Sequence, residues 1–210
     1  MKTYKKFVTE KKGDTVVFTF GRFNPPTVGH EKLITAVQSV ARTRGGDFFV
    51  YPSHSQDPKK NPLNQATKIK YMKKMFPKFK KNIIASSGKT ALNIAAELYK
   101  KKYTTLVMVV GSDRVDEFQR ILDKYNGQDL AHGFYDFDQI YVVSAGERDP
   151  DAEGVEGMSA SKMRAAAVAG DFKSFRMGTP KALSDSDTKQ LFNDSRKGMR
   201  LEVVKEGSKW

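Results

Sequence analysis

The stretch that most restricts how this chain can fold is Thr104-Thr105-Leu106-Val107-Met108-Val109-Val110. β-Branched and apolar residues run through it without alternation, so the strand it forms must be covered on both faces. Strands of that kind lie inside parallel sheets, whose crossover connections place helices on either side. The rest of the chain supplies the partners. Thr15 to Phe20, Asp47 to Tyr51, Asn82 to Ser86 and Gln139 to Val143 read as further strands. Helical spacing separates them, at Leu33, Ile34, Val37 and Val40, then at Ala66, Ile69, Met72 and Phe76. For the second of these helices Asn61 is the expected N-cap, with Pro62 at the first helical position. Ala91, Ile94, Ala95 and Leu98 mark a third, and Val115, Phe118, Ile121, Leu122 and Tyr125 a fourth. Five strands alternating with helices predict an α/β fold with a doubly wound, five-stranded parallel sheet. Ligands of such sheets bind at the carboxyl ends of the strands, where the strand order reverses.

A chain of 210 residues suits one domain. Residues 1–13 read as a basic leader, 14–177 as the body, and 178–210 as a C-terminal helical extension. The acidic, glycine-bearing stretch 144–157 has no apolar period and is expected to be a mobile loop. Ser159 or Ser161 then caps a short helix ending at Gly170, and Asp171 opens a smaller one.

The chain has no cysteine and only His30, His54 and His132. The lack of cysteine excludes disulfide scaffolds, cysteine-zinc sites and thiol nucleophiles, and three histidines so far apart in sequence argue against a multi-histidine metal site. No apolar run reaches the ~18 residues of a membrane span, and the N-terminus lacks the apolar core of a signal peptide. The chain therefore reads as a soluble, cytoplasmic protein with no membrane partner. A formal charge of +13 calls for polyanionic company, and nucleotides or nucleic acid would both serve.

Local chemistry concentrates in Thr15 to His30, TVVFTFGRFNPPTVGH. Gly21 lets the backbone leave the first strand, and Pro25 and Pro26 stiffen the crossing. His30 then stands at the start of the first helix. Unpaired backbone N–H groups and the positive end of the helix dipole favour an anion there.

GRFNPPTVGH resembles the (H/T)xGH signature of the nucleotidyltransferase superfamily, which includes nicotinamide-mononucleotide, pantetheine-phosphate and cytidylyl transferases. Thr27, Gly29 and His30 occupy its first, third and fourth positions. Met158-Ser159-Ala160-Ser161-Lys162-Met163-Arg164 is similar to a second signature of that superfamily, ISSTxxR. The resemblance spans roughly Thr15 to Phe175 and implies a Rossmann-like domain. It also implies transfer of a nucleotidyl group from ATP or CTP to a phosphorylated acceptor, with release of pyrophosphate and with Mg²⁺ bridging the phosphates. No dedicated metal-ligand cluster is visible in the sequence. The second signature is closer to the adenylyltransferase form, which favours ATP as donor and an acceptor such as nicotinamide mononucleotide.

On this resemblance His30, Thr27 and Arg164 are the candidate catalytic residues. His30 would donate to an α-phosphate oxygen; Thr27 stands where other members carry a second histidine and offers only a hydroxyl. Ser159 and Ser161 would hold the outer phosphates with Arg164, whose fork suits bidentate binding. Gly21, Phe23, Asn24 and Gly29 line the first loop, and Gly111, Ser112 and Asp113 form the glycine-containing turn beside the nucleotide. Lys59, Lys60 and Lys68 are candidates for a basic contact to phosphate. They belong to a stretch, Lys59 to Lys81, with nine lysines and no acid, which would equally serve as a solvated face or a nucleic-acid patch. Ser87-Gly88-Lys89-Thr90 looks like the end of a P-loop, but Ile83 stands where that motif needs glycine.

Overall fold

The computed structural model describes residues 14–146 and 158–204. Its four strands are β1 (Thr15–Gly21), β2 (Asp47–Pro52), β3 (Thr105–Val110) and β4 (Gln139–Ser144). All pair in parallel, in the order β2-β1-β3-β4. The leader, residues 147–157 of the acidic stretch and the last six residues lie outside the described residues.

The fifth expected strand is not formed. Asn82 to Ser86 makes one parallel bridge, between Ile83 and Val50, at the outer side of β2. Polar side chains stop the ladder at both ends. Asn82 Nδ2 donates to the Phe48 carbonyl at 3.0 Å, taking a place that a backbone amide would fill. At the other end Ser86 offers its carbonyl to His54 and its hydroxyl to Glu97. The segment still sits where an edge strand would, so the chain winds outward through β2 and then crosses back to β3. The order therefore reverses between β1 and β3, and the crevice at their carboxyl ends is the expected ligand position.

The continuous apolar runs are explained by what lies on each face. Val17, Val107 and Val109 point to one side and pack on Val37 and Ala41 of α1 (His30–Arg44). Their alternating neighbours Val16, Phe18, Leu106 and Met108 point to the other. There they meet Ile94, Ala95 and Leu98 of α3 (Ala91–Lys100), and Leu122 of α4 (Val115–Lys124).

A second layer gathers beyond β2. It consists of α2 (Gln65–Met75), α5 (Ala160–Ala169), α6 (Phe172–Met177) and α7 (Asp185–Gly198). The N-cap of α2 is Asn64, which accepts the Thr67 amide at 2.9 Å, and not Asn61. Its buried stripe is Lys68, Tyr71, Met72 and Met75, rotated from the predicted one. In the C-terminal extension, α7 is capped by Ser184 and anchored by Phe192, whose ring lies edge-on to Phe175 at 5.1 Å. Tyr71 donates to Asp194 at 2.7 Å and Lys74 pairs with Asp187, which fastens α7 to α2.

Candidate active site

Where β1 ends, the chain turns under itself. Ser53 N–H donates to the Gly21 carbonyl at 2.7 Å and joins the exits of β1 and β2. A Cβ on Gly21 would lie 3.0 Å from the Phe23 ring, so glycine makes room for that side chain. Phe23 is buried, with a φ of 44°, and its ring packs 4.9 Å from the His30 imidazole. Asn24 is buried too, and both ends of its amide are in use. Its Nδ2 donates to the Leu63 carbonyl and its Oδ1 accepts the Leu63 amide, each at 2.9 Å. Phe23 and Asn24 thus shape the loop from within.

The same loop fixes His30. Thr27 N–H donates to His30 Nδ1 at 2.8 Å, and the Thr27 hydroxyl lies 3.1 Å from that nitrogen. A ring nitrogen that accepts from an amide carries no proton, so the neutral imidazole holds its proton on Nε2. Thr27 therefore orients the ring and selects its tautomer. Gly29 precedes α1 in helical conformation, with no side-chain cap at the helix head. The amides of Val28, His30 and Glu31 are given to the carbonyls of Gly178, Thr27 and Val28, so what the helix head offers an anion is the positive end of its dipole and not the row of unpaired N–H groups expected from the sequence.

The second signature meets the first directly. Arg164 Nη1 donates to the Asn24 carbonyl at 2.7 Å, across 140 positions of sequence. Its Nη2 donates to Ser161 Oγ at 2.9 Å. Ser159 caps α5 by accepting the Lys162 amide at 3.2 Å. Burial lowers the Arg164 pKa below the ordinary guanidinium value, neighbouring Arg22 lowers it further, and Asp57 acts the other way. Arg22 was not singled out from the sequence, though a basic residue directly after the glycine that ends β1 is a usable signal. Among the described residues neither arginine forms an ion pair. Two neighbouring positive charges repel one another, and an anion bound between them relieves that repulsion.

Gly111 leaves β3 on the same edge as Gly21, because β1 and β3 run in parallel as neighbours. Ser112 and Asp113 follow in an exposed turn, held by the Arg114 amide on the Gly111 carbonyl at 3.0 Å. The hydrogen bonds described above do not reach this turn.

Lys68, a candidate for contact with phosphate, is held inside the protein. It is fully buried, and its ammonium donates to the Ser53 carbonyl at 2.5 Å, which braces the β1–β2 exit from below. Burial brings its pKa down to about 8. Lys59 and Lys60 are exposed on a turn organised by Asp57, whose carboxylate accepts both their amides, at 2.9 and 2.7 Å. Those bonds, that of Lys60 first, hold the Asp57 carboxyl below its usual range.

The P-loop-like turn is occupied by the protein itself. Gly88 N–H and Ser87 Oγ donate to Glu97 Oε1 at 2.8 and 2.9 Å, and Ser86 Oγ donates to Oε2 at 2.8 Å. Lys89 and Thr90 give their amides to Asn93 Oδ1, in a capping box that starts α3. An internal carboxylate fills the place a phosphate would take.

With this geometry in view, comparison with known proteins is specific. A model of the cytidylyltransferase-like family matches residues 18–166, a span that contains both signatures. The chain belongs to that family. Its fold is similar to that of a solved protein described as a nicotinate-nucleotide adenylyltransferase from Vibrio parahaemolyticus. The TM-score is 0.50 at 16% identity, over 85% of this chain and 99% of that one. Identity at that level speaks for the fold alone. No curated protein sequence matches significantly.

The resemblance implies Mg²⁺ held by the phosphates themselves. Among the described residues no three carboxylate or imidazole groups come together to hold a metal. The groups gathered here are guanidiniums and N–H donors, which suit the phosphates and repel a cation. Among the described residues no helix is long and apolar enough to cross a membrane.

Proposed function

We propose that this protein is an adenylyltransferase that moves AMP from ATP to a phosphorylated acceptor such as nicotinamide mononucleotide and releases pyrophosphate. One observation carries the reading. Arg164 of the second signature is hydrogen-bonded to the very loop whose Thr27 orients His30. A triphosphate lying across that junction would meet an imidazole donor at one end and a pair of guanidiniums at the other.

The reaction asks little covalent work of the protein. An acceptor phosphate oxygen attacks the α-phosphorus in line, the bond to the bridging oxygen breaks, and pyrophosphate leaves with the electron pair. His30 Nε2–H donates to an α-phosphate oxygen as negative charge builds there, and the positive end of the α1 dipole supports it. Arg164 and Arg22 hold the β- and γ-phosphates and stabilise the leaving pyrophosphate. Thr27 and Asn24 hold these groups in place. Adenylyl rather than cytidylyl transfer is supported by MSASKMR at 158–164. The family match supports CTP as the alternative donor.

The test is pyrophosphate release with Mg²⁺, crossing ATP, CTP, GTP and UTP against nicotinamide mononucleotide, phosphopantetheine, phosphocholine and glycerol phosphate. Turnover with ATP and one acceptor, lost in His30→Ala, is the expected result. Turnover confined to CTP moves the reading to a cytidylyltransferase. Silence across the panel, with steeply salt-dependent DNA binding in its place, moves it to a non-catalytic nucleic-acid-binding protein.

A further inference from the structure

The place where the body meets the C-terminal extension touches both signatures at once. Gly178 lies between α6 and α7 and is buried. Its carbonyl accepts the Val28 amide at 2.8 Å, in the middle of Thr27-Val28-Gly29-His30. Its Cα faces Met163, the residue before Arg164. A Cβ added to Gly178 would lie 2.5 Å from Met163 Sδ and 2.6 Å from its Cγ. The backbone there has φ −80° and ψ −2°, which any residue adopts. Glycine is demanded by the closeness of α5 and not by conformation.

The residues on either side hold Gly178 still. Arg176 donates to Thr179 Oγ1 at 2.7 Å, to the Leu183 carbonyl at 3.2 Å and to Asp185 at 2.8 Å, binding the turn to the head of α7. Thr179 returns its amide to the Arg176 carbonyl at 3.0 Å. Met163 is fully buried among the residues of the second layer, so it has little freedom to yield.

We infer that Gly178 is a positioning residue for nucleotidyl transfer. It sets the distance between the loop that carries His30 and the helix that carries Arg164, one through its carbonyl and the other through its missing side chain. The inference rests on the function proposed above. A methyl group at this point pushes α5 away from the first loop, and the two phosphate-binding halves then fit one oligophosphate poorly. Misplacement by about an ångström of groups that act together is enough to cost ~10²-fold in rate.

The experiment compares wild type, Gly178→Ala, Met163→Ala, the pair Gly178→Ala/Met163→Ala, and Met163→Leu. Each is tested for binding of inorganic tripolyphosphate by calorimetry, for pyrophosphate release with the productive substrate pair, and for thermal unfolding. Gly178→Ala is expected to weaken tripolyphosphate binding and lower kcat by about tenfold or more, with melting lowered by several degrees and the fold kept at the assay temperature. In the pair the methyl has room, and both values return to those of Met163→Ala. Met163→Leu keeps side-chain volume but brings a branch toward Gly178, and it shows the same loss. If Gly178→Ala does not fold, Met163→Leu carries the test. Wild-type kcat and binding in a folded Gly178→Ala, or in Met163→Leu if the alanine does not fold, overturn the inference, as does a Gly178→Ala loss that Met163→Ala fails to relieve. A wild type that neither binds tripolyphosphate nor releases pyrophosphate instead counts against the proposed function.

Discussion

Asn24→Ala is the sharpest test of how the site is held together. The side chain gives one hydrogen bond to the Leu63 carbonyl and takes one from the Leu63 amide, both at 2.9 Å, and Asn24 and Leu63 are each 2% exposed. Alanine leaves two backbone groups buried without partners, at about 1–3 kcal/mol each. The sum, roughly 2–6 kcal/mol, is a large part of the 5–15 kcal/mol on which folded domains rest. For a chain of this size each kcal/mol moves the melting temperature by about 2–4 °C, so a fall of roughly 4–24 °C is expected. Scanning calorimetry gives the temperature and urea unfolding the free energy, with the slope against urea unchanged if only the native state is affected. Turnover should fall as well, because the carbonyl that receives Arg164 belongs to the same residue. A melting temperature within ~2 °C of wild type would refute the reasoning, since the clamp would then be idle.

His30→Ala is expected to lower kcat by ~10²-fold or more without loss of folding, while Thr27→Ala keeps the amide that orients the ring and loses about tenfold or less. Steady-state pyrophosphate release separates the two. Lys68 has a folded-state pKa near 8 against 10.5 for the free side chain. Between those values the unfolded chain binds the extra proton, so the Lys68 contribution to stability rises as pH rises through that window. Wild type should therefore gain on Lys68→Met from pH 8 to 10 in urea titrations, and parallel curves would count against a buried ammonium. Phe192→Ala removes the anchor of α7 and should cost about 3–5 kcal/mol by the same measurement.

The sheet was largely legible because its signal is local. Val107 and Met108 face opposite helices, and a run that is apolar at every position can only be read that way. What sequence reading missed depends on distant partners. Asn61 and Asn64 are equal as caps on paper. Leu63, with both its backbone groups given to Asn24, keeps the helix from starting earlier. Asn82 to Ser86 has the composition of a weak strand, and only its neighbours Phe48, His54 and Glu97 reveal that its ends are drawn away from the ladder. Lys68 was read as a charge seeking phosphate. Its spacing to Tyr71, Met72 and Met75 places it on the buried stripe of α2, a pattern present in the sequence but outweighed by residue type. In the candidate site the two signatures were visible as strings, and Arg22 was overlooked because its importance comes from its closeness to Arg164.

The Glu97 carboxylate in the Gly88 turn gives the molecule a built-in plug. The Gly88 turn is one of several glycine-bearing turns that precede helices among the described residues, and left unfilled it would offer a diffusing polyanion an unproductive landing place. Because Glu97 is tethered on α3, the competing anion is held beside the turn and cannot diffuse away from the molecule. The turn behind Gly88 is thereby withdrawn from the traffic in phosphates.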